Sequence, residues 1–354
     1  MNKINIAVFF GGIGPEHDIS RLSAMNIINN IDIGCFNVLP IYITQENRWL
    51  LYEGNLKHLN SERLENLCVD VTIDISRGTL LRISGERVKS IKIDVALPVL
   101  HGEGGEDGSI QGLFESAKIK YIGCGISASA IAMDKSATKM IAESKGVSVV
   151  PYYTYNKNEI DKELAAKEAR SLGYPVFIKP SSAGSSYGCS VAKNKKEVLE
   201  AIEEAFNFSD KILIEKFLKV REIEVAILDD GKEIIVSTPG EITTTESFYT
   251  FESKYLEDTS KPVIPAELDE TILEQIKDFA LKIFKSIGGK GLSRVDFFVT
   301  NDNKIFFNEV NTMPGFTDIS MYPKMLEYAG INTKKIIETL ISEALQGNFS
   351  KDEE

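Results

Sequence analysis

Residues His101 to Gly112 (HGEGGEDGSIQG) constrain this chain more than any other stretch. Five glycines among Glu103, Glu106 and Asp107 suit neither a buried strand nor a helix, because glycine loses the most conformational freedom on ordering. Such a string belongs to a tight loop, and loops of this kind carry function. The apolar run Ile91 to Leu100 directly precedes it and predicts a strand, so the loop hangs from a strand end. Ile4 to Phe10 (INIAVFF) is a near-continuous apolar run, as in a strand covered on both faces. Ile19, Leu22, Met25 and Ile28 recur every three residues and predict a helix, and Val38 to Ile43 predicts another strand. Strand, helix, strand alternation implies an α/β first domain.

The texture changes near residue 134. Val176 to Lys179 reads as a short strand entering Pro180 and a small-residue loop, Ser181 to Gly188. A helix is expected from Asn194, with Val198, Leu199, Ile202, Ala205 and Phe206 on one face. Ile212 to Glu215 predicts the next strand, and the stretch to Leu218 follows it. A second helix is marked by Leu268, Ile272, Ile276, Phe279, Ile283 and Ile287, and it stops at Gly288-Gly289. The tail from Ser350 is expected to fray.

Arg294 to Val299 and Ile305 to Asn311, joined by a TNDNK turn, predict a hairpin. Side chains alternate along a strand, so Glu309 and Asn311 share a side, as do Arg294 and Asp296. If the two sides coincide, one surface carries two carboxylates, an amide and a guanidinium. Hard oxygen donors of this sort suit Mg²⁺ held jointly with substrate phosphates. The Pro314-Gly315 turn just beyond offers backbone N–H groups to an anion.

Lys179 to Gly188 (KPSSAGSSYG) is a hydroxyl- and glycine-rich loop that can wrap phosphates while Lys179 neutralises them. It is not a Walker loop, since no G-x-x-x-x-G-K-[ST] occurs. Gly12-Ile13-Gly14 is no dinucleotide fingerprint either, because His17 stands where the third glycine belongs. The loop gains force from Asp134-Lys135 upstream, from Glu215 to Leu218 downstream, and from the hairpin beyond.

Bulk properties narrow the classes. A length of 354 residues implies two or three domains. The net charge of −12 argues against a nucleic-acid partner. No apolar run is long enough to span a bilayer, and the N-terminus has no signal-peptide pattern. The dispersed Cys35, Cys68, Cys124 and Cys189, with only His17, His58 and His101, speak against a zinc site and fit a cytoplasmic protein.

Together these pieces resemble the D-alanine–D-alanine ligase family of the ATP-grasp superfamily, from Gly11 to about Leu345. The string from His101 looks like that family's H-G-x-x-G-E-D-G-x-x-Q-G. Gly11 to Ser20 is similar to its G-G-x-S-x-E-x-x-x-S, with Gly14 in place of the serine; elsewhere Val220 stands in place of a commoner glycine before Arg221-Glu222. The resemblance implies an α/β fold, α+β in parts. It would be a three-domain ATP-grasp fold with an N-terminal preATP-grasp domain (1–133), a central subdomain (134–222) and a C-terminal subdomain (223–354). It implies a cytoplasmic homodimer formed through the first domain.

The same resemblance assigns roles. Glu16 would anchor the ammonium of the first D-alanine. His101, Ser320 and Met321 would bind substrate, the last two at the carboxylate of the second D-alanine. Lys135 and Lys179 would bind ATP phosphates, Lys179 near the adenine too, and Ser186 would also bind ATP. Glu215, Phe217 and Leu218 would surround the adenine, with Phe298 also at the nucleotide, and Glu222 would hold the ribose. Asp296, Glu309 and Asn311 would carry two Mg²⁺, or Mn²⁺. Arg294 and the Gly315 N–H would stabilise the oxyanion of the tetrahedral intermediate. A lid over 245–260 would bring Lys254 to the γ-phosphate and Tyr255 to Ser185 and Glu16.

Four rivals bear on this expectation. Members using D-lactate carry a histidine in the lid region, whereas this chain has none after His101. Those using D-serine often have arginine where Met321 stands. A non-catalytic ATP-binding regulator would lack the carboxylates kept here at Glu16, Asp296 and Glu309, and a carboxylase-type ligase would lack the string from His101.

Overall fold

The structure is a computed structural model and describes residues 3–59, 64–244 and 260–347. Strands β1 (Ile4–Gly11) and β2 (Phe36–Ile43) run parallel, joined by helix α1 (His17–Asn30). As the apolar run requires, β1 is buried on both faces: Ile6, Val8 and Phe10 enter one core, Ala7 and Phe9 another. The three-residue spacing expected for α1 precesses against a turn of about 3.6 residues. Its buried stripe is instead Ile19, Ser20, Ser23, Ala24, Ile27 and Ile28, while Leu22 is 37% exposed. Two serines therefore lie on the inner face of α1.

β3 (Trp49–Tyr52), β4 (Cys68–Asp74), β5 (Thr79–Ser84) and β6 (Arg87–Lys92) extend this sheet as an antiparallel meander. The run Ile91 to Leu100 is not one strand. β6 ends at Lys92, and β7 (Val95–Val99) crosses over to lie parallel to β1 on the other side. The break falls at Asp94, whose carboxylate accepts from Asn5 N at 2.8 Å and whose own N–H donates to Asn5 O at 3.0 Å. The sheet order is β6-β5-β4-β3-β2-β1-β7, so the parallel part is three strands, β2, β1 and β7, of a mixed seven-stranded sheet.

After α2 (Ser109–Ser116), α3 (Ile126–Met133) and α4 (Lys135–Ser144), a four-stranded antiparallel sheet forms. It comprises β8 (Tyr152–Asn156), β9 (Val176–Pro180), β10 (Ser190–Ala192) and β11 (Lys211–Lys216), in the order β10-β9-β11-β8. Helices α5 (Lys162–Leu172) and α6 (Lys195–Ala205) cover one face through Ala165, Ala169, Val198 and Ile202. The expected start of α6 holds, with Asn194 as a cap accepting from Glu197 N. Glu215 lies within β11, as the run Ile212 to Glu215 predicts.

A third sheet, in the order β15-β14-β12-β16-β17 with β13 on β12, is antiparallel throughout. Its strands are β12 (Val220–Asp229), β13 (Ile234–Val236), β14 (Gly240–Thr244), β15 (Ser260–Val263), β16 (Leu292–Thr300) and β17 (Ile305–Asn311). Helix α7 (Glu270–Ser286) packs beneath it through Ile276, Ala280, Ile283 and Phe284 and gives way to Gly288 at φ 74°. Helices α8 (Met321–Tyr328) and α9 (Thr333–Gly347) return to the first sheet, so one core joins Ile6 and Ile28 to Met325 and Leu340. Among the described residues no helix is long and apolar enough to cross a membrane.

The predicted hairpin is β16 and β17, with one irregularity. Asp296 pairs with Glu309 but Phe297 pairs with Phe307, so Asn308 is an extra residue, a β-bulge. Strict alternation would put Phe307 and Glu309 on one face. The bulge turns Phe307, fully buried against Phe297, to the α7 side and leaves Glu309 on the other. We expect Phe307→Ala to destabilise the protein by about 3–5 kcal/mol in urea unfolding. Phe306→Ala, on the opposite and half-buried face, is expected to cost far less. Equal losses would contradict this assignment of faces.

Candidate active site

Residues directly opposite in an antiparallel sheet point to the same side. Across β12, β16 and β17 this gives three rows on the face away from α7: Glu222, Phe298 and Phe306; Glu224, Asp296 and Glu309; Ala226, Arg294 and Asn311. The two sides of the hairpin thus coincide. Arg294 donates to both oxygens of Asp296, Nε to Oδ1 at 2.8 Å and Nη2 to Oδ2 at 2.7 Å, and its Nε lies 3.1 Å from Glu224 Oε2. Asn311 Nδ2 also donates to Asp296 Oδ2 at 3.0 Å. Glu309 takes its cation from another element: Lys135 Nζ, from the first turn of α4, lies 3.2 Å away.

Lysines from α4 and β9 line the facing wall. Lys135 and Lys139 are one helical turn apart, so both project from one side of α4. Lys139 Nζ is 2.9 Å from one Glu215 oxygen and Lys179 Nζ 3.1 Å from the other, with all three side chains at most 5% exposed. Burial pulls the Lys139 ammonium below its ordinary pKa even against Glu215. Burial also works against the Glu215 carboxylate, but the two lysines outweigh it and hold its pKa below the usual value. Lys179 further donates to Asn308 Oδ1 at 3.2 Å, so the bulged residue ties β17 to β9.

Asp134 joins these elements at their base. It caps α4, accepts from Ser181 Oγ and Lys211 Nζ at 2.6 Å each, and from Ser136 N at 2.9 Å. Burial opposes its charge, yet Lys211, Ser136 and Ser181 hold its pKa at about 2. The loop beyond Ser181 then folds back. Ser185 and Ser186 have φ of 48° and 61°, a left-handed conformation uncommon outside glycine, and Ser185 Oγ donates to Glu16 Oε1 at 2.5 Å. Glu16 is 9% exposed, and a Cβ on Gly102 or Gly184 would come within 2.6 or 2.8 Å of its Oε2. Those two glycines permit the loop after β7 and the loop after β9 to close on this carboxylate.

The glycine loop also grips the segment after β17. Glu106 accepts from Gly102 N at 2.9 Å and from Met313 N at 2.8 Å; burial pushes its pKa up to about 7. His101 Nδ1 is 2.9 Å from Met313 O and its Nε2 is 3.1 Å from Ser23 Oγ. Both ring nitrogens of this buried histidine are therefore engaged with protein.

Of the expected residues, the fold brings Glu16, Ser185, Lys135, Lys179, Glu215, Arg294, Asp296, Glu309 and Asn311 around one cleft. Glu222 and Phe298 lie one row along the same face. Phe217 and Leu218 form the half-buried link between β11 and β12. Gly315 and Ser320 are neighbours, a Cβ on Gly315 coming 2.9 Å from Ser320 Oγ, which also accepts from Thr317 N at 3.0 Å. The Met321 side chain faces the core against Gly240, leaving its N–H at the start of α8. Lys254 and Tyr255 lie outside the described residues. Sequence reasoning missed Glu224 and Lys139, although the two-residue step from Glu222 and the four-residue step from Lys135 were available signals.

The chain is similar to known proteins over nearly its whole length. Family models described as D-ala D-ala ligase N-terminus and C-terminus match residues 5–124 and 141–342. A D-alanine–D-alanine ligase of Caldicellulosiruptor bescii is 44% identical, covering 99% of this chain and 98% of that protein. Another, from Acetivibrio thermocellus, is 44% identical over 98% of this chain and 96% of its own. Among solved structures, the VanG D-Ala:D-Ser ligase from Enterococcus faecalis aligns with a TM-score of 0.88 at 35% identity, covering 97% of this chain and 100% of that one. The D-alanine–D-alanine ligase from Coxiella burnetii aligns at 0.87 with 32% identity, covering 98% and 94%.

Removing one partner of a buried ion pair leaves an uncompensated charge and costs about 3–5 kcal/mol. We expect Lys139→Met to lose at least about 2 kcal/mol in urea unfolding, since Lys179 still serves Glu215. The double variant Lys139→Met/Glu215→Gln should lose less than the sum of the singles. Strict additivity would show that Lys139 and Glu215 do not depend on each other.

Proposed function

This chain belongs to the D-alanine–D-alanine ligase family, and from that premise we infer that it joins two D-alanines into D-alanyl-D-alanine with ATP, on an ATP-grasp fold. The observation that carries this reading furthest is the row Glu224, Asp296 and Glu309 facing Lys135 and Lys179 across one cleft, with Glu16 at its corner. Such a cleft can hold a triphosphate between carboxylates and ammonium groups, and an amino acid beside it.

A carboxylate is a poor acylating agent, so the first D-alanine must be activated. In our reading Glu16 holds its ammonium, since a charge-assisted bond there is strong and directional. A carboxylate oxygen attacks the γ-phosphorus, the bond from that phosphorus to the β–γ bridging oxygen breaks, and ADP leaves with an acyl phosphate formed. Positioning and charge neutralisation drive this step, and Lys135, Lys179 and Ser186 supply them around the phosphates. Glu215, Phe217, Leu218, Glu222 and Phe298 line the nucleotide side. Asp296, Glu309 and Asn311 fit a pair of Mg²⁺ (or Mn²⁺), because Asp296 and Glu309 now carry Arg294 and Lys135 as cations; the metal would supply neutralisation at the phosphates.

The amine of the second D-alanine then attacks the acyl carbon, phosphate leaves, and the amine loses a proton. Arg294 and the Gly315 N–H stabilise the oxyanion, while Ser320 and the start of α8 receive the second carboxylate. Met321, turned into the core, adds no charge at that point. The same reading divides the chain at residues 133 and 222 and places it in the cytoplasm as a homodimer, with neither nucleic acid nor membrane as partner.

D-Alanine carrying ¹⁸O in its carboxylate tests the order of steps: one labelled oxygen is expected in the released phosphate. Label confined to the dipeptide would exclude an acyl phosphate. Glu309→Gln is expected to lower ligation by at least about 10²–10³-fold without unfolding the chain, and near-normal turnover would remove Glu309 from the site.

A further inference from the structure

Gly315 sits in a short segment, Met313-Pro314-Gly315-Phe316, whose flanking peptide groups are all held by the first sheet's elements. Met313 N–H donates to Glu106 at 2.8 Å, and Met313 C=O accepts from His101 Nδ1 at 2.9 Å. Phe316 N–H donates to Ser23 Oγ at 3.2 Å, and Phe316 C=O accepts from Asn26 Nδ2 at 2.7 Å. Pro314 has no N–H to hold. Among the described residues no acceptor is bonded to the Gly315 N–H, which lies between the two grips.

The bond directions are mutually consistent. His101 must donate from Nδ1, because a carbonyl accepts only. Its Nε2 then accepts the Ser23 hydroxyl proton at 3.1 Å, leaving the Ser23 oxygen to accept from Phe316 N–H. That neutral tautomer agrees with burial, which lowers the His101 pKa. Ser23 is fully buried, and Asn30 Nδ2 donates to Asn26 Oδ1 at 3.1 Å, so the Asn26 amide has its oxygen and nitrogen assigned by its partners. The contacts from α1 span 290 and 293 residues of sequence.

We propose that Ser23 and Asn26 of α1 are positioning residues for the second half of the reaction, fixing the Gly315 N–H where the oxyanion of the tetrahedral intermediate develops. The proposal rests on the ligase reading above for the role of Gly315. Neither residue reaches substrate; both act through the backbone of Phe316. A donor shifted by about 1 Å can cost roughly 10²-fold in rate. The loss should fall on amine capture rather than on phosphoryl transfer, because the Gly315 donor is aimed at the acyl carbon's oxygen. An acyl phosphate that waits for capture is exposed to water, so the amount of phosphate released per dipeptide should rise.

Asn26→Leu keeps much of the side-chain shape and removes the donor to Phe316 C=O without adding a charge; Ser23→Ala removes the other grip. Each variant is accepted with a wild-type melting temperature and ATP KM. Wild type should release one phosphate per dipeptide. Both variants should lose about tenfold or more in kcat for dipeptide and release clearly more than one phosphate per dipeptide. Amide exchange over residues 315–317 should quicken in both. Asn26→Gln, which restores an amide donor, should recover part of the coupling. Unchanged kcat and coupling would overturn the proposal. A wild type that makes no dipeptide would instead sink the ligase reading. The exchange measurement then still judges the grip, and unchanged exchange in both variants would overturn it.

Discussion

Three carboxylates in one row across three strands set the terms for everything around them. Glu224, Asp296 and Glu309 stand side by side on one sheet face, and like charges at that spacing repel unless cations lie between them. Arg294 neutralises two of them from within the sheet, and Lys135 reaches the third from α4. The four-stranded sheet is tied to this platform by Lys179, which donates to Asn308 of β17, while Lys139 and Lys179 neutralise its own buried Glu215. A cleft built from mutually neutralised charges can exchange them: in the proposed reaction a phosphate would take over the lysines and metal ions the carboxylates.

Such a cleft works only if its walls keep their spacing, and the polar contacts between elements explain how they do. Asn308 bridges β17 to Lys179, Asp134 ties α4 to Ser181 and Lys211, and Glu16 meets Ser185 across the glycine loop. None of these bonds lies within one sheet. Separate sheets are thereby set in register by short, charge-assisted contacts, while the shared core of β1, α1, α8 and α9 joins the first sheet to the third.

Much of this was legible in the sequence, for stateable reasons. The hairpin announced itself because Arg294, Asp296, Glu309 and Asn311 alternate with apolar residues, and alternation converts directly into faces. The bulge at Asn308 could not be read, since one extra residue leaves no mark in composition; it appears only when Phe307 must be buried and Glu309 must not. The meander β3 to β6 escaped because β4, β5 and β6 are partly exposed and carry charged residues, as in β6 (RVKSIK), and β3 is only four residues long. On α1 the obvious apolar residues misplaced the inner face, which carries Ser20 and Ser23 as well as isoleucines. The partners of Ser23 and Asn26 lie almost 300 residues away, and no local pattern can announce a bond of that reach. The match of the string from His101 to a known family supplied what periodicity could not.

The central claim is that this charged cleft serves a single reaction, the joining of two D-alanines at the expense of ATP. Its most direct test offers purified protein Mg²⁺, ATP and equal concentrations of D-alanine and D-serine, and identifies every product by mass. The account predicts D-alanyl-D-alanine as the dominant product, formed with one ADP each. Predominant D-alanyl-D-serine would contradict the assigned second substrate, and no dipeptide of either kind would contradict the account as a whole.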